Sequence, residues 1–397
     1  MDTLTNFYFS FPTRLLFGQG KFNSLGQEAA QFGKKAFLVT YPSPTLADQV
    51  DQAVAMLKAA GVETTLFRKA EANPTHTVAD EGAELARSSD SQMVIGLGGG
   101  SALDLAKAIA VTATGRLKIW DIVEGAPITQ PPLPLIAIPT TAGTGSEATQ
   151  YTVISNREQQ RKEGFARREF YPAVAIVDPL LTVSMPPAIT AQTGLDVLVH
   201  AIEAYIAKVA TPASDLFARE ALRLCSRYLR LAVYNGNDLA ARTNMMAAST
   251  LAGIAISHSD TTLAHVIGEA VGAVFNTWHG LTVALCLPAV MEYACIGNLE
   301  KFAQISALMG EDISGLSTRE AALKSPELVR QLIVDLDMPR GLGALGVTEN
   351  EQVLKLVTRP GWDAASPRPA SRQDFEILIK GCLSPQMSYW RALEEAD

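Results

Sequence analysis

The sequence predicts an α/β domain built on a mostly parallel sheet, followed by an all-helical domain. Three observations point there. Between Lys35 and about Pro179, short apolar and often β-branched runs alternate with helical stretches. After Pro186-Pro187 the strand pattern ends and helix follows helix. The length of 397 residues, 48% hydrophobic and 19% charged, supplies more core than one domain needs. The expected domains are residues 1–185 and 186–397.

Taken in order, residues 36–40, 93–97, 135–138 and 173–177 each read as a buried strand closed by a turn. Helical patterns over 45–60 and 101–111 lie between them. Strands separated by helices imply right-handed crossovers and a sheet covered on both faces. Beyond residue 186 the helical patterns run over 190–207, 214–228, 238–255, 261–275 and 280–293. Residues 360–372 are rich in Pro and Ser and read as an exposed connection before a last helix. No internal repeat or low-complexity segment stands out.

The charge balance, 33 Lys and Arg against 41 Asp and Glu for a net −8, has no basic block, so nucleic acid is not an expected partner. The longest apolar stretches, such as residues 281–291, are about half a bilayer span, and no membrane partner is expected. The start Met1-Asp2-Thr3 has no basic stretch before a long apolar one, so no cleaved leader is expected. Four cysteines, Cys225, Cys286, Cys295 and Cys382, show no CxxC spacing, which fits a reducing compartment and places the expected location in the cytoplasm.

Two loops carry candidate ligand chemistry. Gly98-Gly99-Gly100-Ser101 stands between a strand and a helix, and Ser101 with Asp104 has the spacing of an S-x-x-D cap. Three glycines let a ligand approach the backbone, and the free N–H groups of a helix start suit a pyrophosphate. A plain strand-to-helix turn is the simpler alternative. Residues 139–147 follow the next strand with four hydroxyls, Thr140, Thr141, Thr144 and Ser146, and two glycines. A hydrophilic surface turn needs only one or two such residues. Two such loops at successive strand ends suit a nucleotide, and the absence of a Walker Lys-Ser/Thr favours a dinucleotide over a triphosphate.

Four of the five histidines, His200, His258, His265 and His279, fall within eighty residues of the helical half. Asp196 and His200 are four apart and project from one face of an otherwise apolar helix. His265 lies in another apolar helix and His279 opens a third. For any one of them a hydrogen-bonded core histidine is the simpler reading. One carboxylate and three imidazoles together form a donor set suited to Fe²⁺, Zn²⁺, Co²⁺ or Mn²⁺, with room for a substrate oxygen.

These features resemble the iron-containing, or group III, alcohol dehydrogenase family. The carriers are Phe11-Pro12, Phe17-Gly18-Gln19-Gly20, the stretch from Gly98 to Asp104, the loop 139–149, Ile176-Val177-Asp178-Pro179, Gly194-Leu195-Asp196 through His200 to Tyr205, and Asn276-Thr277-Trp278-His279-Gly280. The resemblance implies an N-terminal dinucleotide-binding domain and a helical domain in the dehydroquinate synthase-like architecture, with a divalent metal between them. It implies Asp196, His200, His265 and His279 as metal ligands, Fe²⁺ first and Zn²⁺ second. It implies NAD or NADP contacts from Asn73, Gly98, Gly99, Gly100, Ser101, Asp104, Thr140, Thr141, Thr144, Thr149 and Lys162. It also implies a homodimer paired through N-terminal strands and a small alcohol or aldehyde as substrate.

Three departures from the family pattern stand out. Where NAD-preferring members carry an acid, this chain has Thr40-Tyr41-Pro42-Ser43, which neither repels nor strongly attracts a 2′-phosphate and puts Tyr41 beside the adenosine ribose. Residues 256–262 replace a neutral, glycine-rich stretch, which makes Ile256, His258 and Asp260, with Tyr151, the expected substrate-side residues. Glu269 stands where many members have a second histidine, four residues beyond His265, and is the candidate catalytic proton relay. The expected activity is an NAD(P)-linked, metal-dependent alcohol dehydrogenase or aldehyde reductase. Two alternatives are a carbon–oxygen lyase of the dehydroquinate synthase type, disfavoured by the few Lys and Arg around the candidate site, and a noncatalytic metal-stabilised module, which needs neither loop.

Overall fold

The computed structural model describes residues 6–395; the start Met1-Asp2-Thr3 and the outer limits of the two expected domains lie outside the described residues. The chain divides into two compact units. One is Ser10–Met185, and the other runs from Pro186 onward and includes the segment ending at Phe9.

The unit Ser10–Met185 contains β1 (Arg14–Phe17), α1 (Leu25–Ala29), β2 (Lys35–Val39), α2 (Ala47–Ala59), β3 (Glu63–Phe67), α3 (His76–Ser88), β4 (Met93–Gly98), α4 (Gly100–Thr112), α5 (Ile119–Val123), β5 (Leu135–Pro139), β6 (Tyr151–Asn156), β7 (Arg161–Ala166) and β8 (Val174–Val177). Six strands form one sheet in the order β1-β8-β5-β4-β2-β3, with every adjacent pair parallel. Side chains alternate between two cores, as a sheet buried on both faces requires. Phe37, Val39 and Val94 pack with Ala79, Ala106 and Ile109 of α3 and α4, whereas Leu38, Met93, Ile95 and Leu97 pack with Leu25, Val50 and Leu57 of α1 and α2. The helices following β2 and β4 therefore lie on opposite faces. That makes the adjacent pair β2 and β4 the topological switch point, where an open α/β sheet receives a ligand at its carboxyl ends.

Three local readings are corrected. Strand β1 is only four residues long at the sheet edge and β3 opens on Glu63-Thr64-Thr65, so neither stands out in the sequence, and β6 and β7 form an antiparallel hairpin outside the main sheet. Ser101 is not a cap: Gly99 takes the N-cap position without a side-chain bond, and Gly100 already belongs to α4. Asp104 turns its carboxylate elsewhere, accepting from Ser146 Oγ at 2.7 Å and Val153 N at 3.1 Å.

The other unit contains α6 (Pro187–Ile206), α7 (Pro212–Tyr234), α8 (Leu239–Ile256), α9 (Leu263–Phe275), α10 (His279–Ala294), α11 (Leu299–Leu308), α12 (Thr318–Asp335), α13 (Glu351–Val357), α14 (Arg372–Leu383) and α15 (Tyr389–Glu394). Their starts are chemically marked. Proline occupies the first position of α6 and α7, Thr211 and Ser214 cap each other's N–H groups, and Asp238 accepts from Ala241 N at 2.9 Å. Asn276, at φ 53, takes the left-handed conformation that ends α9 and leaves three residues before α10 begins at His279. The helical run His279–Gly297 is 19 residues long and apolar enough to cross a membrane, longer than its sequence pattern indicated, but 83% of its most apolar 18-residue stretch is buried inside the fold. The connection over 360–372 is partly exposed and also pinned: Ser366 is buried, Ala365 O accepts from Lys208 N at 2.8 Å, and Pro369 O accepts from the Tyr293 hydroxyl. Two helices, not one, follow it.

Candidate active site

Helix α6 places Asp196 and His200 one turn apart on the same face, α9 supplies His265 in its first turn, and α10 begins with His279. One donor atom from each lies within 4.8 Å of the other three. The histidine rings crowd together, with centroids 4.6 Å apart for His200 and His265 and 5.3 Å for His265 and His279. Gly280 makes room for this, because a β-carbon there would stand 2.9 Å from Asp196 Cβ and 2.6 Å from Gln192 O.

Two details fit the group to a divalent metal. His200 Nε2 and His265 Nε2 face each other at 3.0 Å, an arrangement that two lone pairs tolerate only with a proton or a cation between them. Asp196 Oδ1, buried, receives no hydrogen bond among the described residues and lies 3.9 Å from both His200 Nδ1 and His279 Nε2. A buried carboxylate oxygen left this way is costly unless a cation compensates it. Asp196, His200 and His265 are buried, while the His279 side chain keeps 22% exposure and leaves the group approachable from one side.

The residue that sequence reasoning passed over is Glu203. It sits seven residues beyond Asp196 on α6, is 0% exposed, and accepts four hydrogen bonds. Thr262 Oγ1 and Ala264 N, at 2.8 Å, reach Oε1; His265 N at 3.4 Å and His265 Nδ1 at 2.6 Å reach Oε2. Burial opposes charge on both partners, yet their mutual hydrogen bond wins, holding the Glu203 carboxyl below its ordinary range and His265 above its own. Its only sequence signal is a carboxylate inside an otherwise apolar helix stretch.

At the sheet's carboxyl edge, Gly98 pairs with Pro139 and Thr140 N donates to Gly98 O at 2.9 Å, so the glycine turn and the threonine loop run side by side. Much of the room the glycines leave is filled by protein: a β-carbon on Gly99 would meet Thr141 Oγ1 at 3.2 Å, and one on Gly100 would meet Thr144 Cγ2 at 2.4 Å. The Tyr41 ring packs against Gly98, and burial pushes its hydroxyl pKa up. Lys162 Nζ donates to Asn73 Oδ1 at 2.8 Å, across the link between the β6–β7 hairpin and the segment before α3. Thr149 is buried beneath this surface.

Lys107, also passed over, explains that burial. Its fully buried ammonium donates to Thr149 O and Thr149 Oγ1 at 3.0 Å and to Tyr151 O at 2.6 Å, three acceptors for three protons. Burial pushes its pKa down to about 8, against the pull of Asp104 and Glu147. The same burial raises the Asp104 carboxyl, which Lys107 and Ser146 draw back. Asp104, Lys107 and Thr149 thus form a brace under the threonine loop.

The expected substrate-side residues divide. Tyr151 opens β6 in the sheet unit. Ile256, His258 and Asp260 follow one another at the end of α8 in the helical unit, where Ile256 is buried and Asp260 is exposed at φ 65. His258 Nδ1 meets Ile254 O at 2.8 Å and its ring stacks on Phe9 at 4.2 Å. Glu269 lies one turn beyond His265 on α9, partly exposed, and its charge is among those that raise the His265 pKa; it stands outside the group of four donors.

The chain matches known proteins over almost its whole length. The profile described as iron-containing alcohol dehydrogenase matches residues 12–179, and that of the family's C-terminal part matches residues 190–382. The NAD-dependent methanol dehydrogenase of Bacillus methanolicus is 35% identical over 385 residues, 96% of this chain and 100% of that one. The choline dehydrogenase of Bacillus subtilis (strain 168) is 36% identical over 391 residues, 97% of each chain. The crystal structure of a 1,3-propanediol oxidoreductase is similar at a TM-score of 0.90 and 35% identity, covering 95% of this chain and 100% of that one.

Proposed function

The chain belongs to the iron-containing alcohol dehydrogenase family, and from that premise we propose that it interconverts a small polar alcohol and its aldehyde, accepting either NAD or NADP. It is an oxidoreductase of the NAD-linked, metal-dependent alcohol dehydrogenase class, acting on CH–OH groups. The observation that carries the reading is the convergence of Asp196, His200, His265 and His279 into one buried donor set.

When bound, the dinucleotide supplies the hydride acceptor and the divalent metal, Fe²⁺ before Zn²⁺, supplies a Lewis acid for the substrate oxygen. In this reading the four side chains hold the metal, and the buried helices around them keep the donors aligned. Gly98 to Ser101, Thr140, Thr141 and Thr144 present backbone N–H and hydroxyl groups to the dinucleotide, while the Asp104–Lys107 brace keeps the loop in place. Glu269 holds the alcohol proton or bonds a polar substrate group.

The finer identity rests on particular residues. His258, Asp260 and Glu269 make the helical unit's substrate side polar. Similar relatives are named for methanol, choline and 1,3-propanediol, so one scaffold at this level of identity serves several small alcohols. No acid stands in the turn from Thr40 to Leu46 that follows β2, where Ser43 and Thr45 instead share a hydrogen bond at 2.8 Å, which supports use of both cofactors. Strand β1 lies at the sheet edge with Leu15 exposed, which supports a homodimer paired there. The four cysteines are buried free thiols, in keeping with a cytoplasmic location.

The test is a steady-state assay over a panel of short alcohols, diols and amino alcohols, and their aldehydes, with NAD(H) and NADP(H). Turnover of polar C1–C4 alcohols with both cofactors is the expected result. Cofactor-independent elimination chemistry, or no turnover in either direction, contradicts the proposal.

A further inference from the structure

Glu203 lies on α6, on the stripe that also carries Asp196 and His200, seven and three residues before it. A fully buried carboxylate is retained only where donors compensate its desolvation, and this one has four. They divide into two sets. Thr262 Oγ1, Ala264 N and His265 N belong to the opening of α9, whose own N-cap residue, Thr262, makes no side-chain cap bond. Glu203 therefore caps α9 from another helix, placing negative charge where the helix dipole favours it. The remaining donor is His265 Nδ1, at 2.6 Å.

We propose that Glu203 is a positioning residue of the four-donor centre: it fixes His265 in the tautomer with its proton on Nδ1, so that the Nε2 lone pair faces His200 Nε2 and the other donors. The proposal rests on the reading that the four donors hold a divalent metal. Capping the helix and orienting the ring with one carboxylate locks ligand backbone and ligand ring to α6, the helix that bears two of the other ligands. A neutral imidazole ligates through one nitrogen and donates from the other, and an acceptor behind the ring both fixes that choice and raises the ligand's basicity.

Glu203→Gln separates this role from simple packing. The amide keeps the volume but has one acceptor oxygen. If that oxygen serves Thr262 and Ala264, the NH₂ faces His265 Nδ1 and drives the ring proton onto Nε2, against ligation. If the amide turns over, the cap is lost instead. The probe is Co²⁺ or Zn²⁺ alone, measured by chelator competition in wild type, His265→Ala and Glu203→Gln, with the visible Co²⁺ spectrum recorded for each. The expected result is stoichiometric binding in wild type, its loss in His265→Ala, and about 10–100-fold weaker binding with an altered Co²⁺ spectrum in Glu203→Gln. Wild-type affinity and an unchanged spectrum in Glu203→Gln overturn the proposal while leaving the metal centre intact. Failure of wild type to bind either metal overturns the centre, and the proposal with it. Should Glu203→Gln not fold, ¹⁵N-histidine NMR of Zn²⁺-loaded wild type decides alone: a proton on His265 Nδ1 supports the proposal, and a proton on Nε2 overturns it.

Discussion

A β-carbon on Gly100 would stand 2.4 Å from Thr144 Cγ2, so the glycine turn and the threonine loop interlock rather than merely lie near each other. Gly100→Ala should push Thr144 aside. The expected cost is about 1–3 kcal/mol of stability, with a raised KM for NAD⁺ and little change in metal content. Calorimetry with cofactor kinetics checks this; an unchanged melting temperature together with an unchanged KM contradicts it.

Lys107 makes a linkage prediction. Its folded pKa, about 8, lies below the unfolded value of about 10.4, so across that window the unfolded chain binds more protons. Lys107's contribution to stability therefore rises with pH from about 8 toward 10, as the cost of burying charge is relieved. Urea unfolding of wild type and Lys107→Met at pH 7, 8.5 and 10 should show their stability difference shifting in wild type's favour as pH rises. A constant difference contradicts the pKa assignment.

Ser43→Asp tests the absent ribose acid. Ser43 already caps the short turn at Thr45, accepting from its N–H at 3.3 Å, and Asp keeps that bond. The Tyr41 position is less suitable, since its ring supports Gly98. The variant should move the NAD over NADP ratio of kcat/KM by about tenfold or more, through repulsion of the 2′-phosphate. A wild type that already excludes NADP by orders of magnitude rules out this account.

For Glu269 the informative variant is Gln, which keeps size and hydrogen bonding without a basic oxygen. Loss of turnover by about 10²-fold, with a flattened acid limb in the pH profile of kcat, is the expected outcome for a proton relay. Turnover, substrate preference and pH profile all matching wild type would show that Glu269 takes no part in the chemistry.

The four-donor group was legible in the sequence because His200 and His265 fall in otherwise apolar helices, because His279 opens a third, and because Asp196 and His200 have the spacing of one helix face. Glu203 was not, because its meaning depends on His265, 62 residues along the chain and on a different helix. Lys107 was hidden in the same way, its three acceptors lying 42 to 44 residues away on a loop whose course the sequence does not state. Strand periodicity located the four central strands, which are apolar on both faces. The β6–β7 hairpin escaped it because Arg161, Lys162 and Glu163 break any apolar pattern. Ser101 was misread because its spacing to Asp104 fits a capping box, whereas the tertiary bonds to Ser146 and Val153 take the carboxylate.

The most direct measurement of the central claim is metal content and turnover in parallel for wild type, Asp196→Ala and His265→Ala, each reconstituted with Fe²⁺ or Zn²⁺ after chelation, with circular dichroism as the check on fold. The account predicts one metal per wild-type chain. It predicts substoichiometric metal and a loss of turnover on the order of 100-fold or more in either variant, with helical content retained because α6, α9 and α10 have apolar faces of their own to bury. A His265→Ala protein that keeps stoichiometric metal and wild-type turnover would contradict it.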